Sequence, residues 1–127
     1  MIASLEDKCK FCKIIDKENP HRIIYQDDYI IGFHNAAQHF GDLQLLWSPL
    51  EHLTQEQLLT NESLLNKIMM AITKYADEEK KDYRLVMNIG TNANQAIEHA
   101  HIHQIFSTKL LSIAPYCYHP GRLRYDG

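Results

Sequence analysis

Three of the chain's eight histidines, His99, His101 and His103, stand at alternate positions in Glu98-His99-Ala100-His101-Ile102-His103-Gln104-Ile105-Phe106. Imidazole changes charge near neutral pH and serves as general base, nucleophile or metal ligand. Alternation is the strand period, so the spacing predicts one β-strand with the three rings on one face and Ala100, Ile102 and Gln104 on the other. A helix would scatter the rings around its circumference. One edge of a sheet is therefore expected to be imidazole-rich. At about 3.3 Å per residue, His99 and His103 would lie about 13 Å apart, whereas a bound ion sits only about 6 Å from a ligating histidine's Cα. Divided roles are expected rather than one ion held by all three. The bland alternative is a row of solvated surface histidines, which would repel one another as they protonate.

Cys9 and Cys12 form the next group that could do chemistry. Their spacing lets two thiolates converge on one ion, but they supply only half of a tetrahedral site. A redox pair would be expected beside a βαβ pattern, whereas Ile14 to Asn19 reads as one helical turn ended before Pro20. The choice is between zinc and no special role. Asn88 and Gln95 offer uncharged donors and acceptors suited to phosphate oxygens or to an imidazole whose tautomer matters. A turn-capping amide is the structural alternative for Asn88.

The elements that must position these groups are legible in outline. Ile23–Tyr25 and Tyr29–Phe33, flanking Gln26-Asp27-Asp28, read as a hairpin that forms a hydrophobic wall. Leu43–Trp47 is a second apolar strand ended by Pro49. Thr54 with Gln57 in capping-box spacing starts a short helix to Leu59, and Asn61 caps a longer one. In the latter Leu64, Leu65, Ile68, Met69, Ile72, Tyr75 and Ala76 form one apolar stripe, which is core. Tyr83–Asn88 reads as a strand that a turn-rich loop joins to the histidine strand, bringing Asn88 and Gln95 near the rings. These elements define an α+β domain: a mainly antiparallel sheet, one long helix and one or two short ones, with the helices on one side.

At 127 residues and 45% hydrophobic content the chain is one domain, 1–127, with a core at about 9–106 and a tail at 107–127. A net charge of −3 leaves no basic footprint for duplex nucleic acid. No 18-residue apolar run suggests a membrane span, and Met1–Asp7 lacks the pattern of a signal peptide. Three cysteines, an odd number, argue against a disulfide framework. A soluble, cytoplasmic protein is expected.

His99-Ala100-His101-Ile102-His103-Gln104-Ile105 resembles the histidine-triad signature of the HIT superfamily, with Gln104 as the one polar residue at an apolar position. Asn88-Ile89-Gly90 and Gln95 resemble the Asn-x-Gly and Gln that precede the triad in Hint-type members. Cys9 to Ile15, Ile23 to Asp28 and Gly32 to Asn35 look like the family's N-terminal hairpin. The resemblance implies a HIT-like fold with a five-stranded sheet and homodimerisation. It implies a nucleotide phosphoramidase or nucleotidyl hydrolase that cleaves at the α-phosphate of purine nucleotide conjugates through a nucleotidyl-histidine intermediate. His101 would be the nucleophile. His103 would support phosphate and leaving group, with Asn88 and Gln95 orienting the phosphate, and His99 would hold the site through its main-chain carbonyl. An AMP-type ligand would meet Phe33 and Ile24 at its base and Asn35 at its ribose. The zinc-bearing members imply a structural zinc on Cys9, Cys12, His52 and His99. Four positions depart from the family pattern: Asn35 for an acidic residue, Gln44 for a histidine, Asn94 for a glycine and Ala96 for a serine. Uridylyl transfer of the galactose-1-phosphate uridylyltransferase type, or nucleotide binding with little turnover, are the alternatives.

Overall fold

A computed structural model describes residues 9–15, 22–35, 43–79, 81–90 and 98–106. Gln95, the departures at Asn94 and Ala96, and the tail from Ser107 lie outside them.

The first strand, β1 (Ile23–Gln26), turns into β2 (Ile30–His34) through Asp27. The Asp27 carboxylate accepts from the backbone N–H groups of Tyr29 and Ile30 at 2.7 and 2.8 Å and from the Tyr25 hydroxyl. Partial burial would raise the pKa of this carboxyl, but those donors outweigh it and hold it below the usual carboxylate range. The remaining strands are β3 (Leu43–Pro49), β4 (Tyr83–Val86) and β5 (Ile102–Phe106). They form a five-stranded sheet in the order β1-β2-β3-β5-β4, with every neighbouring pair antiparallel.

Strand alternation separates two cores. On one face Ile30, Leu45, Trp47, Ala100, Ile102 and Phe106 pack against Leu58 of the short helix α2 (Gln55–Leu59) and Leu64, Ile68 and Ile72 of the long helix α3 (Glu62–Glu79). Both helix starts are built as their sequences predict. The Thr54 side chain accepts from the Gln57 N–H while the Gln57 side chain accepts from the Thr54 N–H. The Asn61 side chain accepts from the Leu64 N–H. On the other face Ile31, Phe33 and Leu46 pack against Cys9, Phe11 and Ile14 of the segment that forms α1 (Lys10–Ile15). The helices therefore do not all lie on one side. Helix α1 also begins earlier than the turn expected at Ile14, because the Cys9 carbonyl already accepts from the Lys13 N–H at 3.1 Å. Among the described residues no helix is long and apolar enough to cross a membrane.

Gln104, the polar residue in an otherwise apolar register, lies fully buried beneath α3. It accepts from the Trp47 indole N–H at 2.8 Å and donates to the Ile72 carbonyl at 3.3 Å, joining sheet to helix. Trp47 in turn lies flat over Gly32, its partner on β2, where an added Cβ would meet the indole ring at 2.5 Å. Gly32→Ala is expected to destabilise the fold by about 1–3 kcal/mol through overpacking. A thermal midpoint equal to wild type would refute this account of the β2–β3 contact.

Candidate active site and metal centre

Strand β5 enters the ladder only at Ile102, which pairs with Trp47, and at His103, which pairs with Val86. His99 and His101 therefore precede the regular strand. The expectation of an imidazole-rich edge is also corrected: β5 is interior, paired antiparallel with β3 on one side and β4 on the other. None of the three rings is solvated, as each triad histidine is at most 1% exposed.

The irregular stretch is held by the β3–α2 connection. The Ala100 N–H donates to the Leu53 carbonyl at 2.8 Å, and the Ala100 carbonyl accepts from the Ser48 hydroxyl at 2.8 Å. The Gln55 side chain accepts from the His101 N–H at 2.9 Å and donates to the His101 and Asn88 carbonyls at 3.1 and 3.0 Å. His101 turns its ring back on its own chain, and Nδ1–H donates to the His99 carbonyl at 2.7 Å. In a neutral ring that bond fixes the tautomer and leaves the nucleophilic lone pair on Nε2. The His103 ring lies 5.2 Å from that of His101, centroid to centroid. Phe11 presents an edge contact to His101 at 4.8 Å and to Phe33 at 5.2 Å.

Cys9, Cys12, His52 and His99 converge, with their ligand atoms all within 4.8 Å of one another. His52 Nδ1 is 3.3 Å from the Cys12 sulfur, and His99 Nδ1 lies 3.4 and 3.6 Å from the sulfurs of Cys12 and Cys9. A tetrahedral ion with bonds of about 2.3 Å to sulfur and 2.0–2.1 Å to nitrogen leaves sulfur–nitrogen edges of about 3.5 Å, so the donor set fits one. His99 Nε2–H donates to the Pro49 carbonyl at 2.8 Å, which aims the Nδ1 lone pair at the sulfurs. Four protein donors leave no open position for a reactive water, and among the described residues this is the one such cluster.

Burial pushes His99 down to about 4, and the nearby His52 and His101 add to the shift. Its neutral form, the one able to ligate a metal, is thereby favoured. The depressed folded-state value means that an unfolded chain binds the proton first as pH falls. Stability contributed by neutral His99 is thus present above about 6.5 and lost as pH drops toward 4. We expect the metal-free protein to lose about 3 kcal/mol from this group across that window. Chemical denaturation of wild type and His99→Gln at pH 7.5 and 4.5 measures the difference, and equal pH slopes in the two proteins would exclude it.

The residues expected to bind substrate are only partly brought together. Phe33 lies on the histidine face, beneath Phe11 and with the Arg22 guanidinium 5.6 Å from its ring centre. Asn35, 3% exposed, donates its side-chain amide to the Gln44 side chain at 3.3 Å, so two departures from the family pattern contact each other. Ile24 packs instead on the helix side, lining a groove with Trp47 and Tyr75. A β-bulge between Ile23 and Tyr25 shifts the phase, and Ile23 is the residue that packs beside Phe33. Asn88 reaches the triad through its carbonyl and Gln55. Gln55 and Phe11 belong to the site without any mark in the sequence. A glutamine at the first helical position carries no sequence signal for a contact 46 residues away, and Phe11 reads as ordinary core.

This sheet, with a buried histidine triad on one face and a long helix on the other, belongs to the histidine-triad superfamily. The chain is a member of the family whose model is described as "Scavenger mRNA decapping enzyme C-term binding", which matches residues 8–112. It is similar to the purine nucleoside phosphoramidase of Escherichia coli K12, with 29% identity over 97 residues, covering 73% of this chain and 82% of that protein. A HIT-like protein of Synechococcus elongatus is 30% identical over 97 residues, covering 73% of this chain and 84% of that protein. Among solved structures, a HIT family hydrolase from Clostridium thermocellum superposes with a TM-score of 0.75 at 29% identity, covering 84% of this chain and 96% of that one. A histidine triad protein from Clostridium difficile superposes with a TM-score of 0.74 at 26% identity, covering 83% and 95%.

Proposed function

We propose that this protein is a nucleotide phosphoramidase or nucleotidyl hydrolase that acts at the α-phosphate of purine nucleotide conjugates through a covalent nucleotidyl-His101 intermediate. The observation that carries the proposal is the 2.7 Å bond from His101 Nδ1–H to the His99 carbonyl. It presents Nε2 as the nucleophile and stabilises the positive charge that the ring gains on attack. Nε2 bonds to the α-phosphorus as the bond to the leaving group breaks, and the departing amine takes a proton from solvent, which is returned when the water of the second step loses its proton. Water then attacks the same phosphorus, the bond to Nε2 breaks, and the nucleoside monophosphate leaves. His103 is suited by its place beside His101 to contact phosphate oxygens and the leaving group, with Asn88 and Gln95 orienting the phosphate. In this reading Cys9, Cys12, His52 and His99 hold a structural zinc that fixes α1 against the triad. The phosphoramidase relative supports the reaction class and the purine.

The Asn35–Gln44 contact supports a second reading, nucleotide binding with little turnover, because a neutral amide stands where the family's acidic residue would meet the ribose. One experiment separates the two. Wild-type protein is incubated with adenosine phosphoramidate, quenched in base and weighed by mass spectrometry. An AMP adduct together with free AMP is the expected result. Bound AMP without adduct or turnover would sink the enzyme assignment.

A further inference from the structure

We infer that Gln55 is a positioning residue for the His101 nucleophile, an inference that rests on the function proposed above. Gln55 opens α2, yet its side chain does not serve the helix. The capping bonds are made by Thr54 and Gln57, and Leu58, fully buried, anchors the helix in the core. The Gln55 side chain, only 2% exposed, spends its amide on the triad. Its oxygen accepts from the His101 N–H and its nitrogen donates to the His101 carbonyl, so both peptide groups flanking the His101 Cα are tied to one side chain.

His101 needs such a tie because of where it stands. The ladder to β3 ends at the pair Trp47 and Ile102, one residue further along the chain. Gln55 there presents the oxygen and nitrogen that a neighbouring strand would otherwise supply. With its root held by Gln55 and its rotation set by the His99 carbonyl, the ring has one orientation. The second Gln55 donor reaches the Asn88 carbonyl, so the same amide sets the spacing between the nucleophile and the residue after β4 assigned to phosphate orientation. A carboxamide is the group that fits: glutamate would set a negative charge against two carbonyl oxygens, and methionine would fill the space with no polar contact at all.

The test uses Gln55→Met and Gln55→Glu, with Gln57→Ala as a control that breaks the capping box on the same helix without touching His101. Single-turnover formation of the AMP adduct is followed below the melting temperature of each protein, alongside AMP affinity and hydrogen exchange at the His101 amide. Gln55→Met and Gln55→Glu are expected to slow adduct formation roughly 10- to 100-fold, the scale of a misplaced reacting group, with AMP affinity within about threefold of wild type. His101 amide exchange should accelerate in both. Gln57→Ala should lower the melting temperature and leave the rate within about twofold. Wild-type rates in the Gln55 variants, or losses that only track the unfolded fraction as in Gln57→Ala, would overturn the inference. Should one variant fail to fold, the other carries the comparison. If wild type itself forms no adduct, the proposed reaction fails by that result, and the amide exchange still decides whether Gln55 holds His101: unchanged exchange in the variants overturns it.

Discussion

Replacing His101 by alanine is expected to lower turnover of adenosine phosphoramidate by about ten-thousand-fold and to abolish the protein–AMP adduct. The magnitude follows from the role. Without the ring no covalent intermediate forms, and what remains is a pocket that positions phosphate for direct attack by water. His103→Asn should cost less, roughly a hundredfold, because a supporting group assists a step that can still occur. AMP affinity should fall far less than turnover in both variants, since neither change removes the apolar wall. His101 is fully buried against Phe11, so alanine also opens a cavity, and His101→Asn provides a smaller packing change for comparison. Adduct formation that survives in both His101 variants while disappearing in His103→Asn would move the nucleophile to His103 and overturn the assignment.

The second large effect concerns the metal centre. Chelation of the proposed zinc, or Cys12→Ser, is expected to lower the thermal midpoint by about 15 °C, from a loss of about 4 kcal/mol at a thousandfold excess of metal over Kd. The cost falls on the fold first. Cys9 and Cys12 bracket the first turn of α1, whose Phe11 and Ile14 cover Phe33 and Leu46, so releasing the ion's four donors frees that layer. Above the new midpoint catalysis should fail with the fold, because unfolding also takes away the His99 carbonyl that holds His101. Below the new midpoint, however, folded metal-depleted protein should still form adduct, since no step passes through the ion. Protein that purifies without metal and whose midpoint ignores a chelator would remove the structural-zinc assignment. Activity lost at temperatures where the depleted protein remains folded would point instead to a metal that takes part in the chemistry.

Much of this molecule is determined by local pattern. The period-two pattern places Ile102 and Gln104 on the helix side and His103 opposite, because a strand alternates its faces whatever its neighbours are. The capping box at Thr54, the Asn61 cap and the Asp27 turn are each settled within four residues, where side chain and backbone meet at fixed separations. Cysteine spacing, with His52 and His99 supplied by the family resemblance, identified the group that converges in space. Tertiary structure decided the rest. A pattern of period two says which face a residue takes but not which strands flank it, so the interior place of β5 and the burial of its rings emerge only from the order of strands. The bulge in β1 inserts one residue and reverses the phase, which carries Ile24 to the helix side and Ile23 to the site. Buried polar groups found partners that no sequence period announces: Gln104 between Trp47 and Ile72, Asn35 with Gln44, and Gln55 on His101. Each pair is distant in sequence or lies across a strand register, and a buried amide is satisfied by whichever group packing brings within reach.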